Sequence, residues 1–331
     1  MTLPTTTKLG FTLAGVLALI VNSAHADTFG SGGNAFTIDF VTIGDPGNPL
    51  DTGTTGSYFT PYGGVGYTFQ MGTYEISEDM IAKANTLGGL LVTKDTRSSV
   101  NQAATGVSWN EAARFVNWLN TSQGFSVAYK FAVNPGDAGY TSNTVANADL
   151  VLWTVSDAGY DASNLYRNSN THYFLPSENE WYKAAYYSGS GTLYFDYATE
   201  SDVIPTAVAS GTVAGTTVYG AGAVTAPADI TQAGGLSHYG TMGQDGNVNE
   251  WNESAFAAPN DVSSELRGIR GGAWNNPEND LRSSIRGNNA PSASFTNFGF
   301  RVASVPEPSC AGLMIGSGLM LSLRRRRAAA R

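Results

Sequence analysis

The sequence predicts a single irregular α+β domain with little regular secondary structure. Three observations favour this fold class: short apolar–polar alternations typical of strands, three helix starts marked by capping residues, and long stretches rich in Gly, Ala, Thr and Val. The chain has 331 residues, of which 42% are hydrophobic, and is therefore long enough to bury a large core. No internal repeat and no second domain boundary interrupts this pattern.

The first predicted elements lie in the N-terminal third of the chain. The segments Phe36 to Ile43, Val65 to Met71 and Tyr74 to Ile76 are predicted strands, the first because its residues alternate between apolar and polar. Ser77 is the predicted N-cap of a helix from Glu78 to about Asn85, since its hydroxyl can accept a hydrogen bond from the first turn.

Two further helices are predicted from their caps. Ser108 precedes a helix over Asn110 to Asn120, and the sequence SENE at 177–180 matches a capping box that begins a third helix. The segments 121–170 and 188–245 are expected to form loops over a small sheet. The residues predicted to form the apolar faces of these two helices are Ala112, Phe115, Val116, Leu119, Trp181, Ala184 and Ala185.

The N-terminal residues 1–26 have the three parts of a secretory signal peptide. Lys8 supplies a positive charge, Leu9 to Val21 is mostly apolar, and Ala24-His25-Ala26 has the small-x-small pattern that places cleavage before Asp27. We therefore expect export. The alternative interpretation is a buried N-terminal helix.

The C-terminal residues 305–331 combine a Pro-Glu-Pro sequence at 306–308, an apolar run from Cys310 to Leu323, and arginines at 324–327. Fourteen helical residues rise about 21 Å, less than the roughly 30 Å of a bilayer core, so this short transmembrane segment is a marginal anchor. The order resembles the PEP-CTERM sorting signal of Gram-negative bacteria. That resemblance implies an inner-membrane intermediate, cleavage by an exosortase-type enzyme, and release to the cell envelope or the exterior. A plain C-terminal membrane tail is the alternative.

Charge and cysteine content exclude several classes of protein. The net charge of −9 becomes −14 without the two terminal segments, which carry six of the 18 basic residues and one of the 27 acidic ones. Such an acidic domain is not expected to bind nucleic acid, because phosphates are neutralised by surplus Lys and Arg. The one cysteine, Cys310, lies in the tail, so the remaining chain has neither a disulfide framework nor a multi-cysteine metal site.

Five sequence blocks occur in the order found in the formylglycine-generating enzyme family, also called the sulfatase-modifying-factor domain. They are MGTYEIS at 71–77, GVSWNEAARF at 106–115, FLPSENEW at 174–181, GNVNEW at 246–251, and RGGAW at 270–274 closed by GFRV at 299–302. The sequence resembles this family over residues 36–304. The resemblance implies a C-type-lectin-like fold with little regular secondary structure.

The resemblance also shows which chemistry is missing. Family enzymes bind copper through two cysteines after the Gly-Gly turn, and those positions fall on Asn276 and Leu281, which cannot supply thiolates. A second branch of the family holds iron through histidines, but His172 and His238 lack ligand spacing and are interpreted as surface or hydrogen-bonded residues. Neither copper nor iron is expected. No Gly-x-Ser-x-Gly sequence indicates a hydrolase.

Calcium is the metal that the resemblance implies. The family's structural calcium site maps onto the carbonyls of Gly246 and Val248 and the side chain of Glu250, an oxygen-only set that suits Ca²⁺. Gly243 stands where the family usually has Asn or Asp, so one side-chain ligand is absent. The alternative interpretation is a metal-free turn in which Glu250 accepts local hydrogen bonds.

The region from Trp274 to Phe298 is the predicted ligand face. It is rich in Asn and Arg side chains, which suit hydrogen bonding to a glycan or peptide and contact with carboxylate or sulfate groups. The alternative is that Asn stabilises turns and Arg pairs with internal carboxylates; Arg301 is interpreted in this second way. The residues assigned to the face are Trp274, Asn275, Asn276, Arg282, Arg286, Asn288 and Asn289.

The functional prediction is an exported, envelope-sorted domain without the family's catalytic cysteine pair, acting as a binding or structural surface module. Its expected partners are an exosortase-type processing enzyme and a surface glycan, peptide or protein, with membrane contact only through the tail. The alternative is an oxidoreductase with altered active-site chemistry on the same scaffold.

Overall fold

The computed structural model describes residues 25–53, 61–95, 99–143, 150–220 and 222–306. Residues 1–24 of the predicted signal peptide and residues 307–331 of the predicted sorting tail, including Cys310 and the short apolar run, lie outside the described residues. None of the helices in the described part of the chain has the length and apolar character needed to cross a membrane.

Three helices and thirteen short strands form the regular part of the described chain. The helices are α1 (Glu78–Gly88), α2 (Trp109–Ser122) and α3 (Glu178–Tyr186). The strands are β1 (His25–Phe29), β2 (Phe36–Ile43), β3 (Phe69–Gly72), β4 (Lys130–Phe131), β5 (Leu150–Val151), β6 (Tyr173–Phe174), β7 (Thr206–Val208), β8 (Thr216–Val218), β9 (Asn249–Ala255), β10 (Arg267–Arg270), β11 (Gly287–Asn289), β12 (Phe298–Gly299) and β13 (Ala303–Ser304).

Two sheets organise the domain. The larger has five antiparallel strands in the order β1-β2-β3-β13-β6, so the last strand of the chain pairs between β3 and β6. The second has the order β11-β10-β9-β12, with β12 parallel to β9 and the other pairs antiparallel. Two further strand pairs, β4-β5 and β7-β8, lie within the long segments 121–170 and 188–245. Strands that are distant in sequence therefore meet in both sheets.

The main core lies between the larger sheet and α2. Phe115 of α2 stacks on Phe36 of β2 at a centroid distance of 6.3 Å and meets the edge of Phe300 at 5.6 Å. The apolar faces predicted for α2 and α3 are confirmed, since each of their seven residues is buried. The tryptophans at the two helix starts, Trp109 and Trp181, are fully buried. The motifs around the two caps therefore supply many of the buried residues of the core.

The predicted elements differ from the structure mainly at their ends. The strand Phe36–Ile43 is confirmed, while the strand predicted from Val65 begins only at Phe69. The predicted strand at Tyr74–Ile76 is wrong: Ile76 donates to the carbonyl of Phe300 and accepts from the amide of Ala104 outside any strand. A strand needs a continuous ladder with one neighbour, and these hydrogen bonds go to two different segments.

The two long segments predicted as loops contain few regular elements in their described parts. The strands in the described part of 121–170 are β4 and β5, and each has two residues. The strands in the described part of 188–245 are β7 and β8. The fold class is thus confirmed as a single mixed domain with little regular secondary structure. At the N-terminus, β1 already begins at His25 and pairs with β2 in register His25↔Phe40. Cleavage before Asp27 would leave Asp27–Phe29 of this strand.

Candidate ligand site at the Gly-Gly turn

A turn formed by Gly271 and Gly272 follows β10 and shapes the candidate site. Both residues have positive φ, +94° and +70°. A Cβ at Gly271 would lie 2.6 Å from the carbonyl oxygen of Gln244, and one at Gly272 would lie 2.9 Å from the side chain of Leu281. Glycine is therefore required at both positions, for its backbone conformation and for the close approach. The carbonyl of Gly271 accepts from the amide of Gly246, which joins the turn to the GNVNEW block.

Two arginines beside this turn share one buried carboxylate. Glu178, the first residue of α3, accepts hydrogen bonds from the Nε atoms of Arg270 at 2.7 Å and Arg286 at 2.8 Å. Arg286 also donates to the carbonyl of Phe256 and lies over its ring at 3.9 Å. Arg286 is thus an internal structural residue, as the alternative interpretation proposed, and its donors are engaged within the domain.

The turn and the arginines border a polar cavity of about 250 Å³. This volume is slightly below that of small-molecule sites in proteins, which begin at roughly 300 Å³. Arg270 and Arg286 share the single carboxylate of Glu178, which leaves one positive charge without a partner. Asp280 also borders the cavity and offsets this charge. The lining residues are Asn249, Ile269, Arg270, Gly271, Gly272, Asp280, Ile285, Arg286 and Gly287.

The two positions that correspond to the family's copper-binding cysteines have structural roles here. Asn276 donates from Nδ2 to Asp280 at 2.6 Å and accepts from the amide of Asn249 at 3.2 Å. Leu281 is fully buried and packs with Tyr197 and Tyr219. Neither side chain is a ligand for Cu(I), which prefers thiolate and other soft donors.

The remaining residues of the predicted ligand face are distributed around this region. Asn275 accepts from Asn297, and Trp274 packs against a small apolar cluster with its ring nitrogen buried. Asn288 and Asn289 lie on β11, the edge strand of the second sheet, where they pair with Gly268 and Arg267. Arg286 is therefore the member of the predicted face that lines the cavity, and Asn276 is hydrogen bonded to two of its lining residues.

Arg282 differs from the other arginines of this region. Its guanidinium lies 5.7 Å from the ring centroid of Tyr197, and it makes no salt bridge with any residue that the structure describes. The side chain is half-buried. Arg282 is consequently the arginine of the face whose charge is available to a ligand.

Glu250 lies in a buried ion pair with Arg301. The guanidinium donates from Nε to Oε2 at 2.6 Å and from a terminal nitrogen to Oε1 at 2.5 Å, and both side chains are completely buried. The indole of Trp181 donates to Oε2 at 2.7 Å. Arg301 is thus the internal, paired guanidinium that its motif predicted.

The calcium prediction depended on the side chain of Glu250. Because both of its oxygens already accept from Arg301, and because the guanidinium would repel a second cation, this side chain does not fit a calcium ion. Calcium at the carbonyls of Gly246 and Val248 stays a prediction.

A second buried carboxylate explains the glycine at 243. Glu75 is completely enclosed, accepts from Nδ2 of Asn247 at 2.6 Å, and lies 2.8 Å from where a Cβ of Gly243 would be. Burial, together with the nearby charge of Glu250, raises the pKa of Glu75 well above its ordinary value. An Asn or Asp at 243 would collide with this carboxyl group.

The two histidines that follow the predicted signal peptide, His172 and His238, are not among the residues that line this cavity. His172 stacks on Phe125 at a centroid distance of 4.5 Å, and Nδ1 of His238 lies 3.3 Å from Glu200. Among the described residues, no group of three or more His, Cys, Asp or Glu side chains is arranged to hold a metal ion.

Sequence reasoning missed two residues that organise the site, Glu178 and Glu75. Each lies inside a block that was noted for its helix start or its strand, and each is buried against partners about 100 or more positions away. Glu75, between Tyr74 and Ile76, offered a signal, because buried acidic residues are almost always paired. Glu178 lies between Ser177 and Asn179 and offered none.

The fold, the Gly-Gly turn and the ordered blocks define the class of this protein. Residues 57–305 match the profile of the sulfatase-modifying factor enzyme 1-like domain, and the chain belongs to this family. No curated protein matches the sequence.

Solved structures show the same fold at low identity. The chain is similar to Treponema denticola variable protein 1, with 19% identity, a TM-score of 0.60, and coverage of 85% of this chain and 99% of that one. It is also similar to PvdO from Pseudomonas aeruginosa, with 19% identity, a TM-score of 0.51, and coverage of 85% and 98%. A third similar structure is that of CarF, with 19% identity, a TM-score of 0.51, and coverage of 82% of this chain and 99% of that one.

Proposed function

We propose that this chain is an exported, envelope-sorted member of the family that acts as a non-catalytic binding or structural module at the cell surface. The observation that carries the proposal is the identity of Asn276 and Leu281 at the family's copper-binding positions. One is hydrogen bonded and the other fully buried, so both maintain the fold. The chain has no cysteine before residue 310 that could replace the missing pair.

The terminal segments support the cellular part of the proposal. A secretory signal at 1–26 and a PEP-CTERM-like tail at 305–331 imply passage through the inner membrane and processing by an exosortase-type enzyme. The acidic, thiol-free domain between them is compatible with an oxidising exterior, because it has no cysteine to be oxidised.

The proposed contact surface is the part of the predicted ligand face that remains available in the fold. Arg282 has no ion-pair partner among the described residues, and the amide side chain of Asn288 on the edge strand makes no hydrogen bond with them. The guanidinium and the amide each suit a partner that offers carboxylate, sulfate or hydroxyl groups. The partner is an acidic glycan or peptide.

A glycan and peptide array tests this surface. Arg282→Ala and Asn288→Ala are expected to weaken binding of the captured ligand without changing the thermal unfolding of the domain. Lys83→Ala on α1 is the matched control, because it removes one positive charge outside the face. Unchanged binding in both face variants would contradict the assignment.

A further inference from the structure

A second cavity, of about 330 Å³, shares no lining residue with the cavity at the Gly-Gly turn. This volume reaches the lower range of small-molecule sites, roughly 300 Å³ and above. The cavity lies between the start of β3, the loop before β6, the residues before α3 and the end of the described chain. The lining residues used below are Tyr67, Thr68, Asp161, Arg167, Ser169 and Phe174.

Arg167 forms the charged wall of this cavity, but its donors are already engaged. It donates four hydrogen bonds to Glu180 and Glu253, with salt-bridge distances of 2.9 and 2.7 Å, and its guanidinium lies 3.8 Å from the ring centroid of Phe174. Because two buried carboxylates surround one guanidinium, the local charge is negative. An anionic ligand is therefore disfavoured.

The same network fixes the neighbouring polar side chains. Tyr67 donates its hydroxyl to Glu180 at 2.7 Å, and Asn164 donates from Nδ2 to Glu253 at 2.6 Å. Tyr67 is nevertheless 51% exposed, so its ring remains accessible at the cavity. A ring held by its hydroxyl in this way is a preorganised apolar surface for a ligand.

Other groups on the wall remain available for hydrogen bonding. The hydroxyls of Thr68 and Ser169 make no hydrogen bond with the described residues. Asp161 accepts from the amide and hydroxyl of Ser163 through Oδ1 alone, and these bonds lower its pKa, which keeps the carboxylate ionised. Its other oxygen accepts no hydrogen bond from the described residues and is thus a free acceptor.

We infer that this cavity binds a neutral saccharide of about one or two rings. Sugar hydroxyls would donate to Asp161 and exchange hydrogen bonds with Thr68 and Ser169, and the C–H face of the sugar would pack on Tyr67. The engaged guanidinium and the negative local charge exclude acidic sugars. The site goes beyond the proposed function, because its residues and its ligand charge differ from those of the Arg282 surface.

Calorimetric titration of the purified full-length protein with four neutral disaccharides, cellobiose, maltose, lactose and N,N′-diacetylchitobiose, tests the inference. Saturable binding of at least one is expected, with loss of detectable binding in Ser169→Trp, which fills the cavity from an exposed position. Asp161→Asn is expected to weaken binding about tenfold, since one charged acceptor is lost.

Ser190→Trp is the matched control, because Ser190 is also exposed but lies outside the cavity. It is expected to bind as the unchanged protein does, and equal thermal unfolding of all three variants shows that they fold. Three results would overturn the inference: no binding of any of the four disaccharides, undiminished binding by Ser169→Trp, or tighter binding of glucuronic acid than of the neutral sugars. Loss of array binding in Arg282→Ala concerns the contact surface of the proposed function and does not test this cavity.

Discussion

Arg301 and Glu250 illustrate how single residues hold this fold together. Their ion pair is fully buried and joins the GNVNEW block to the GFRV block, while the guanidinium also donates to the carbonyls of Gly72 and Met242. Four segments therefore meet at one side chain. Removing one partner of such a pair is costly, because the remaining charge stays buried without compensation.

Arg301→Leu is accordingly expected to lower the free energy of unfolding by about 3–5 kcal/mol, measured by urea denaturation. Lys83→Gln provides the control, since Lys83 pairs with Asp79 on the surface of α1 at 2.6 Å and such pairs contribute about 1 kcal/mol or less. Similar losses of unfolding free energy in the two variants would show that the buried pair contributes no more to stability than the exposed pair does.

Lys183 gives a pH-dependent prediction. The residue is fully buried, its ammonium donates to the carbonyl of Asp45 at 2.8 Å, and burial lowers its pKa from 10.5 to about 8. Between these pH values the unfolded chain binds a proton that the folded chain does not, so the free energy of unfolding should rise with pH over this interval.

The comparison needed is urea unfolding of the unchanged protein and of Lys183→Met at pH 8 and pH 10. The unchanged protein should gain stability with pH relative to Lys183→Met, which lacks the titrating group. An identical pH response in both would mean that Lys183 is not desolvated in the folded state.

At the scale of elements, the caps position the charged network. Ser177 accepts from the amide of Glu180 at 3.3 Å, and Glu180 accepts from the amide of Ser177 at 2.6 Å, which completes a capping box at the start of α3. This helix start places Glu178 beside Arg270 and Glu180 beside Arg167. One local motif thus orients carboxylates for both cavities.

Ser177→Ala removes the side-chain half of this box. We expect the free energy of unfolding to fall by about 0.5–2 kcal/mol, as for other N-cap replacements, in thermal or urea denaturation. Ser190→Ala, at an exposed turn, should change it by less than about 0.5 kcal/mol. If both serines behave alike, the cap does not stabilise α3.

The helices were predictable from sequence because their signals are local. Ser108 and Ser177 lie next to the residues they cap, and the observed helices begin one residue after each cap. The strands β12 and β13 have two residues each, too few for an alternating pattern, and they depend on partners far away in the chain.

The candidate site was predictable only in part, because many of its contacts join residues that are distant in the sequence. The Gly-Gly pair at 271 and 272 was recognisable in its motif, and both residues have positive φ in the structure. The burial of Arg286 against Glu178 could not be predicted, because 108 positions separate them and no local pattern pairs them. The carboxylate of Glu250 was expected near calcium, but its position facing Arg301 depends on the tertiary fold.

For the whole molecule, the terminal signals make a prediction about the mature chain. Asp27 pairs with Ile38 in β1, and its carboxylate accepts from the hydroxyl of Tyr173 at 2.8 Å, so the domain retains contacts up to the predicted cleavage point. N-terminal sequencing of the secreted protein should begin at Asp27. Ala26→Tyr should leave an uncleaved precursor, because the small-x-small pattern is lost. A mature chain that begins at Met1 would contradict export by this signal.

The central proposal is that the family fold persists here without copper chemistry. It rests on Asn276 and Leu281, which make structural contacts at the positions where the family resemblance places cysteines. Oxygen uptake measures this directly: the purified protein is loaded with Cu(I), freed of excess metal, and mixed with a thiol-containing peptide. We expect no retained stoichiometric copper and no oxygen consumption above that of the peptide alone. Copper-dependent oxygen consumption with conversion of the peptide cysteine to formylglycine would contradict the account.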